Sequence, residues 1–197
     1  MEIEFSEGTI RFSRNLSELD KFVIDFVKML NSLQIRYMII SGYISILFGR
    51  SRTTEDIDFF IEDIEKSKFD TFIDRIESSG LWIINTSDSN LAYRMLKDGD
   101  SIRIAKRRMA IPNMEIKVKS DKEIWQESTK IIVNDFEINT SRIENQIAFK
   151  FYLGSENDIE DAVYLYELLG DMLDKELLIK KCAGLGVLNE ARRYIRE

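Results

Sequence analysis

The chain contains no histidine, and this absence removes several kinds of chemistry. Ser-His-Asp and Cys-His catalysis both use an imidazole to carry the proton, and many zinc sites use it as a ligand. Any catalysis in this chain would therefore depend on carboxylates or on Lys, Arg, Tyr, Ser and Thr side chains.

Cysteine and long apolar runs are equally scarce. Cys182 is the single cysteine, so no disulfide can form within the chain, and we expect a cytoplasmic protein. No apolar run reaches the roughly 20 residues that a membrane helix needs. The N-terminus also has no signal-peptide pattern. We therefore expect no membrane partner.

The charge balance limits what the chain can bind. The 35 acidic residues outnumber the 28 basic ones, which gives a net charge of −7 and argues against a general nucleic-acid coat. A local basic patch for one RNA end stays compatible with this charge. The segment 106–108 (Lys-Arg-Arg) is either a solvated loop or a contact for triphosphate or an RNA backbone.

One stretch organises the rest of the chain, namely Tyr37 to Glu62. It begins with an apolar run rich in strand-forming residues, is broken by a Ser-Gly pair, and resumes with a second β-rich run after a polar loop. The pattern predicts a strand, a tight turn, a short helix and a second strand, at Tyr37–Ile40, Ser41-Gly42, Tyr43–Phe48 and Asp56–Ile61.

The second of these strands carries two acids on one face. Side chains two apart on a strand point the same way, about 6.6 Å apart, so Asp56 and Asp58 share a face. If the strand extends backwards, Arg52 and Thr54 continue that face. Two neighbouring carboxylates repel each other unless a cation lies between them, and oxygen ligands favour Mg²⁺ or Mn²⁺. Alternatively, both acids are solvated charges on an edge strand.

The Ser41-Gly42 turn lies at the start of the short helix. Backbone N–H groups and the helix dipole favour an anion such as phosphate at this position. The stretch therefore combines a candidate phosphate-binding turn, Ser41-Gly42, with a candidate metal-binding pair, Asp56 and Asp58.

An apolar strand, a Gly-Gly or Gly-Ser turn, a short helix and Asp-hydrophobic-Asp, in this order, resemble the signature of the nucleotidyltransferase (polymerase-β-like) superfamily. The finer pattern, Gly-Gly followed by Arg-x-Thr-x-Asp-x-Asp, resembles the branch that contains AbiEii-type toxins. Here it reads Ser41-Gly42 and then Arg52-Thr53-Thr54-Glu55-Asp56-Ile57-Asp58. Ser41 replaces the first glycine.

The resemblance implies roles for further residues. A third carboxylate from a later strand joins the pair in the superfamily. Glu115 is the best-placed candidate, and its alternative is a surface ion pair with Lys117; Asp100 is a second candidate, in a turn. The AbiEii-type helix carries a lysine followed by an aspartate, which implies Lys150 and then Asp158 or Asp161.

Two sets of site residues follow. The resemblance implies that a catalytic set acts with Mg²⁺ or Mn²⁺, its three acids binding the metal: Asp56, Asp58, Glu115 and Lys150. The second set is expected to contact the nucleotide: Ser41, Gly42, Arg52, Thr54 and Asp161.

We expect an α/β (α+β) fold, with a nucleotidyltransferase-like mixed sheet over residues 1–140 and a helical C-terminal part over 141–197. Turn residues and helical spacing predict the remaining elements. The helices are expected over 15–34, 68–79, 141–153, 157–169, 174–182 and 188–195. Residues 1–14 are expected to form a small hairpin or an arm. Further hairpins are expected over 92–105 around Asp98-Gly99, and over 130–139 around Asn134-Asp135.

The expected activity is transfer of a nucleoside monophosphate from an NTP to a hydroxyl of an RNA, a protein or a small molecule. The resemblance also implies that the protein could be a toxin that acts on tRNA and has a cognate antitoxin. The alternatives are a nucleotide-binding regulatory protein without catalysis and a metal-dependent phosphohydrolase.

Overall fold

The computed structural model describes residues 2–6 and 8–195, and its strands form one mixed sheet. Within this part of the chain the nine strands are β1 (Ile3–Ser6), β2 (Thr9–Phe12), β3 (Tyr37–Ile40), β4 (Asp56–Glu62), β5 (Leu81–Ile83), β6 (Ile102–Lys106), β7 (Asn113–Lys119), β8 (Ser128–Val133) and β9 (Phe136–Ser141). Their order across the sheet is β1-β2-β8-β9-β3-β4-β7-β6-β5. The neighbours β2/β8, β3/β9 and β4/β7 are parallel, and the others are antiparallel. The expected mixed sheet is confirmed.

Helices flank this sheet and follow its last strand. In the described residues they are α1 (Glu18–Ser32), α2 (Gly42–Leu47), α3 (Lys66–Ser78), α4 (Ser89–Lys97), α5 (Ile143–Leu153), α6 (Glu156–Leu169), α7 (Lys175–Gly184) and α8 (Leu188–Ala191). A short 3₁₀ turn at Gly170–Met172 continues α6.

The core forms where α1 and α3 cover one face of the sheet. Ile57, Phe59 and Ile61 of β4 are fully buried on this face, because side chains alternate along a strand. Phe26 of α1 meets Phe59 edge-on, with ring centroids 5.2 Å apart. Phe72 of α3 also packs against Phe26. The acidic residues of β4 therefore lie on the opposite face.

A buried polar network ties α1 to α2. Ser17 and Asp20 form a capping box at the start of α1. The Asp20 carboxylate also accepts hydrogen bonds from the Tyr43 hydroxyl at 2.9 Å and from Arg14 at 3.0 Å. Arg14 donates in turn to the carbonyl oxygen of Ile46 at 2.7 Å. The network holds the short helix that follows the Ser-Gly turn.

The hairpin predicted over 92–105 is wrong, because residues 89–97 form α4 instead. The Asp88 side chain caps the first turn of α4, so the segment enters a helix before it reaches the Asp-Gly pair. Gly99, with φ at 90°, then ends the helix, and the Asp100 N–H donates to the Met95 carbonyl. The Asp98-Gly99 pair is thus a helix terminator rather than a β-turn.

The chain ends follow the predictions more closely. The hairpin around Asn134-Asp135 is confirmed as β8 and β9. The N-terminal hairpin is confirmed as β1 and β2, although Glu7 in its turn lies outside the described residues. The last predicted helix is shorter, since α8 ends at Ala191. The division into 1–140 and 141–197 stays a prediction, and residues 1, 196 and 197 lie outside the described part.

Candidate active site

Two acids project from the open face of β4. Asp56 and Asp58 are half-buried, and they alternate with fully buried apolar residues along the strand. Strand β4 begins at Asp56, so Arg52 and Thr54 lie in the loop before it and do not extend it. The Thr54 hydroxyl donates to the carbonyl oxygen of Asp56 at 2.8 Å and thereby fixes the entry to the strand.

The Ser-Gly turn lies beside these acids. In the antiparallel pair β3/β4, Ile40 is opposite Asp58, and the turn begins with the next residue. Burial and the charges of Asp56 and Glu115 raise the pKa of the Asp58 carboxyl, and a hydrogen bond from the Ser41 side chain opposes part of this rise. The predicted neighbourhood of turn and acid pair is therefore present in the fold.

Ser41 adopts a backbone conformation that favours glycine. Its φ is 70° and its ψ is −146°, in a region that side chains with a Cβ rarely occupy. Its N–H donates to Oε1 of Gln146 at 3.0 Å. Gln146 lies on α5, is buried, and donates through Nε2 to Ser141 at 2.7 Å. Gln146 was not predicted, and no sequence signal near the turn points to it.

Gly42 lies in close contact with an arginine side chain. A Cβ at this position would collide with Nη2 of Arg52, whose guanidinium lies against the turn. Arg52 Nη2 is in turn 3.1 Å from Oδ2 of Asp161. Arg52 thus joins the turn to α6.

Asp161 is the centre of a buried ionic cluster. Its carboxylate is fully buried and pairs with Lys150 at 2.6 Å, with Arg52, and with Arg50. Lys150 is only 1% exposed and lies 3.6 Å from Asp158, so it is not an exposed helix lysine. The geometry favours Asp161 over Asp158 as the acid that follows the lysine. Arg50 was missed, because its position before the loop resembles an ordinary charged residue.

Glu115 lies next to Asp58 on the neighbouring strand. The parallel register of β4 and β7 places the two residues side by side. Glu115 pairs with Lys117 at 2.8 Å and with Arg103 at 3.1 Å, so the predicted ion pair with Lys117 exists. Among residues 2–6 and 8–195, no three acidic or cysteine side chains converge in a way that could hold a metal. Asp100 ends the turn after α4 and is exposed.

The pKa values of Asp58 and Glu115 are shifted in opposite directions. Burial raises the pKa of Asp58, and the charges of Asp56 and Glu115 raise it further. Burial also acts to raise the pKa of Glu115, but hydrogen bonds with Lys117 and Ser101 and the charges of Lys117 and Arg103 lower it overall. Glu115 therefore holds its negative charge more firmly than Asp58 does.

Solved structures with the same fold are nucleotidyltransferase-like. An antigenic nucleotidyltransferase-like protein from Paracoccidioides brasiliensis is 20% identical, with a TM-score of 0.55 over 90% of this chain and 93% of its own. The lincosamide antibiotic adenylyltransferase LnuA, solved with lincomycin, is 15% identical, with a TM-score of 0.54 over 77% of this chain and 98% of its own. The protein ANT(2")-Ia, solved with adenylyl-2"-tobramycin, is 12% identical, with a TM-score of 0.57 over 91% of this chain and 100% of its own.

These likenesses establish a nucleotidyltransferase-like fold for the chain, as expected. No protein-family model matches the sequence, and no curated protein matches it. Among the described helices, none has the length and apolar character needed to cross a membrane. Identities this low do not carry activity or substrate from one protein to another.

Proposed function

We propose that the protein transfers a nucleoside monophosphate from an NTP to an acceptor hydroxyl and releases pyrophosphate. The observation that carries this proposal is the position of the Ser41-Gly42 turn beside Asp58, with Asp56 on the same strand face. In the reaction, the acceptor oxygen forms a bond to the α-phosphorus while the bond to the pyrophosphate oxygen breaks. The fold supports this reaction class, since the similar structures include adenylyltransferases.

A divalent cation, Mg²⁺ or Mn²⁺, fits the donor set of the acid pair. Asp56 and Asp58 offer hard oxygen ligands, and burial and their mutual repulsion raise the pKa of Asp58. Glu115 would complete the set only by turning away from Arg103 and Lys117, which now hold it. When bound, the cation would neutralise the triphosphate and organise the in-line displacement.

In this proposal, the residues around the acid pair bind the phosphates, position the strand and assist the proton transfer. Ser41 and Gly42 seat the β- and γ-phosphates, and Thr54 fixes the entry to β4 next to them. Glu115, kept ionised by its cationic neighbours, accepts a hydrogen bond from the attacking hydroxyl and assists its deprotonation. Arg52 contacts phosphate from its place against the turn.

Lys150 and Asp161 are proposed to act through Arg52. Both side chains are buried, and Asp161 binds Lys150 and Arg52 together. The positive charge of Lys150, in the buried ionic cluster around Asp161, stabilises the negative charge that develops on the triphosphate. Asp161 orients the Arg52 guanidinium and so serves nucleotide binding without direct contact.

The acceptor is proposed to be a small molecule, a protein or an RNA. The structures solved with lincomycin and with adenylyl-2"-tobramycin favour a small molecule. The resemblance to AbiEii-type toxins favours tRNA, together with a cognate antitoxin. A cytoplasmic location suits all three acceptor classes, and the single cysteine, Cys182, is free and buried.

The proposal is tested by incubating the protein with Mg²⁺ and each α-labelled NTP, together with total RNA, a protein extract or a small-molecule extract. Label should move to one acceptor class. The double variant D56N/D58N should abolish the transfer while circular dichroism stays unchanged. If that variant still labels the acceptor, the acid pair is not the catalytic centre.

A binding protein without catalysis is the second candidate, because Glu115 is held by two cations and the three acids do not converge. Metal-dependent NTP binding without turnover would favour it. A phosphohydrolase that uses the same acids would instead release free monophosphate in the absence of any acceptor.

A further inference from the structure

An apolar cleft of about 310 Å³ adjoins the phosphate turn on the open face of the sheet. Met38 and Ile40 of β3 and Phe60 of β4 line one side of it, on the face that carries Asp58. Ala148 and Phe149 of α5 line another side. Phe149 is 47% exposed, so its ring is accessible from the solvent side of the cleft.

One side chain that lines the cleft has an unsatisfied polar atom. Asn145 of α5 lines it, and Oδ1 of this residue is buried without a hydrogen-bond partner among the described residues. The orientation of the amide is determined by chemistry: Nδ2 donates to Glu127 at 2.8 Å, and a carboxylate can only accept. Glu127 is held in turn by Lys181 at 2.6 Å. Oδ1 is therefore a fixed acceptor that needs a donor.

We propose that this cleft binds the base of the donor nucleotide and that Asn145 selects adenine and cytosine through their amino groups, at C6 of adenine and C4 of cytosine. The inference rests on the proposed nucleotidyl transfer. Ser41 belongs to both the cleft and the phosphate turn, so one molecule with a polyphosphate and a flat apolar ring spans the two. A nucleoside triphosphate has this chemistry.

Size and position favour the base over the acceptor. The cleft volume is near the lower end for small-ligand pockets, which suits one ring system and not a polymer. Glu115, which would receive the proton of the acceptor, lies on the other side of Asp58, on β7. The acceptor hydroxyl is therefore expected to approach from β7, while the base enters the cleft beside β3.

The unpaired acceptor divides the four bases into two classes. Adenine has an amino group at C6, where guanine has a carbonyl oxygen, and cytosine has an amino group at C4, where uracil has a carbonyl oxygen. The amino group would donate to Oδ1 of Asn145, whereas a carbonyl oxygen would face it and leave it unpaired. An unpaired buried polar atom weakens binding by roughly tenfold.

Calorimetric titration with non-hydrolysable analogues of the four NTPs, in the presence of Mg²⁺, tests this selection. The ATP and CTP analogues should bind roughly tenfold more tightly than the GTP and UTP analogues. Asn145→Leu should abolish this preference. Asn90→Leu, at an exposed position on α4, is the matched control and should keep it. An ATP analogue that lacks the 6-amino group tests the same contact in the unmodified protein and should bind roughly tenfold more weakly.

The outcomes separate this inference from the proposed function. If all four analogues bind equally, or if the preference survives in Asn145→Leu, the selection by Asn145 is wrong while nucleotide binding stands. If Asn145→Leu changes the KM for the acceptor and leaves NTP binding intact, the cleft holds the acceptor and the proposal is overturned. If no analogue binds the unmodified protein, the proposed function fails and this inference fails with it.

Discussion

The side-chain oxygen of Gln146 accepts the N–H of Ser41 at 3.0 Å, across 105 residues of sequence. Ser41 has a positive φ, so the turn beside Asp58 depends on a contact from α5 to keep a shape that glycine would adopt freely. The conformation of the candidate phosphate-binding turn is thereby coupled to the helices that follow the sheet.

Gln146→Ala should therefore destabilise the protein by about 1–3 kcal/mol, because it leaves the partly buried N–H of Ser41 unpaired on a strained residue. In a Ser41→Gly background the same change should cost less, by at least about 0.5 kcal/mol, since glycine relaxes the turn. Urea unfolding of the four proteins gives the double-mutant cycle. Strict additivity of the two changes would show that Gln146 does not support the conformation of Ser41.

Replacing Asp58 should stabilise the fold at neutral pH. The raised pKa of Asp58 means that, above its ordinary value of 3.8, the folded state binds protons more strongly than the unfolded state. Stability therefore falls as the pH rises through the interval between 3.8 and the folded pKa of Asp58. Asp58→Asn should add roughly 0.5–2 kcal/mol at neutral pH, and this gain should vanish towards pH 3.8.

Unfolding free energies of the Asp58→Asn protein at several pH values check this expectation. Asp70→Asn, on α3, serves as the control, since the Asp70 side chain is half-exposed and pairs with Lys66 one helical turn away. A loss of stability in Asp58→Asn at neutral pH would mean that the charged carboxylate stabilises the fold.

Asp161 and Asp158 should respond very differently to neutralisation. Asp161→Asn leaves Lys150 buried with Asp158, at 3.6 Å, as its one remaining ion-pair partner among the described residues, which should cost about 3–5 kcal/mol. Asp158 is partly exposed, so Asp158→Asn should cost less than about 1 kcal/mol. Thermal unfolding of both proteins gives the comparison. Equal losses would contradict the central place of Asp161 in the cluster.

A methyl group at Gly42 should disturb the turn through Arg52. Gly42→Ala drives a Cβ into the guanidinium and should cost about 1–3 kcal/mol, and it should weaken NTP binding as well. Gly184→Ala is the matched control, because a Cβ there meets open space; it should be neutral or slightly stabilising.

Arg52→Ala should recover part of the stability lost in Gly42→Ala, because the collision disappears. It should not recover NTP binding if Arg52 contacts phosphate. A Gly42→Ala protein that is as stable as the Gly184→Ala protein would mean that Arg52 moves away without cost.

Local patterns were sufficient for much of the architecture. Alternation placed Asp56 and Asp58 on one face of β4, and turn residues located the hairpin of β8 and β9. The same reasoning failed for α4, because Asp98-Gly99 suits both a hairpin turn and the end of a helix. The cap at Asp88 and the packing of Ala92 and Leu96 decided in favour of the helix.

The sequence by itself determined the acid pair, the Ser-Gly turn and their order along the chain, because strand and turn preferences act over a few residues. Only the tertiary structure decided that Gln146 accepts the N–H of Ser41 and that Lys150 is buried. It also decided that Asp161, rather than Asp158, is the centre of the ionic cluster. These contacts join residues that are 11 or 105 positions apart. Their partners are selected by packing and charge in the folded core, and the periodicity of a short segment carries no information about them.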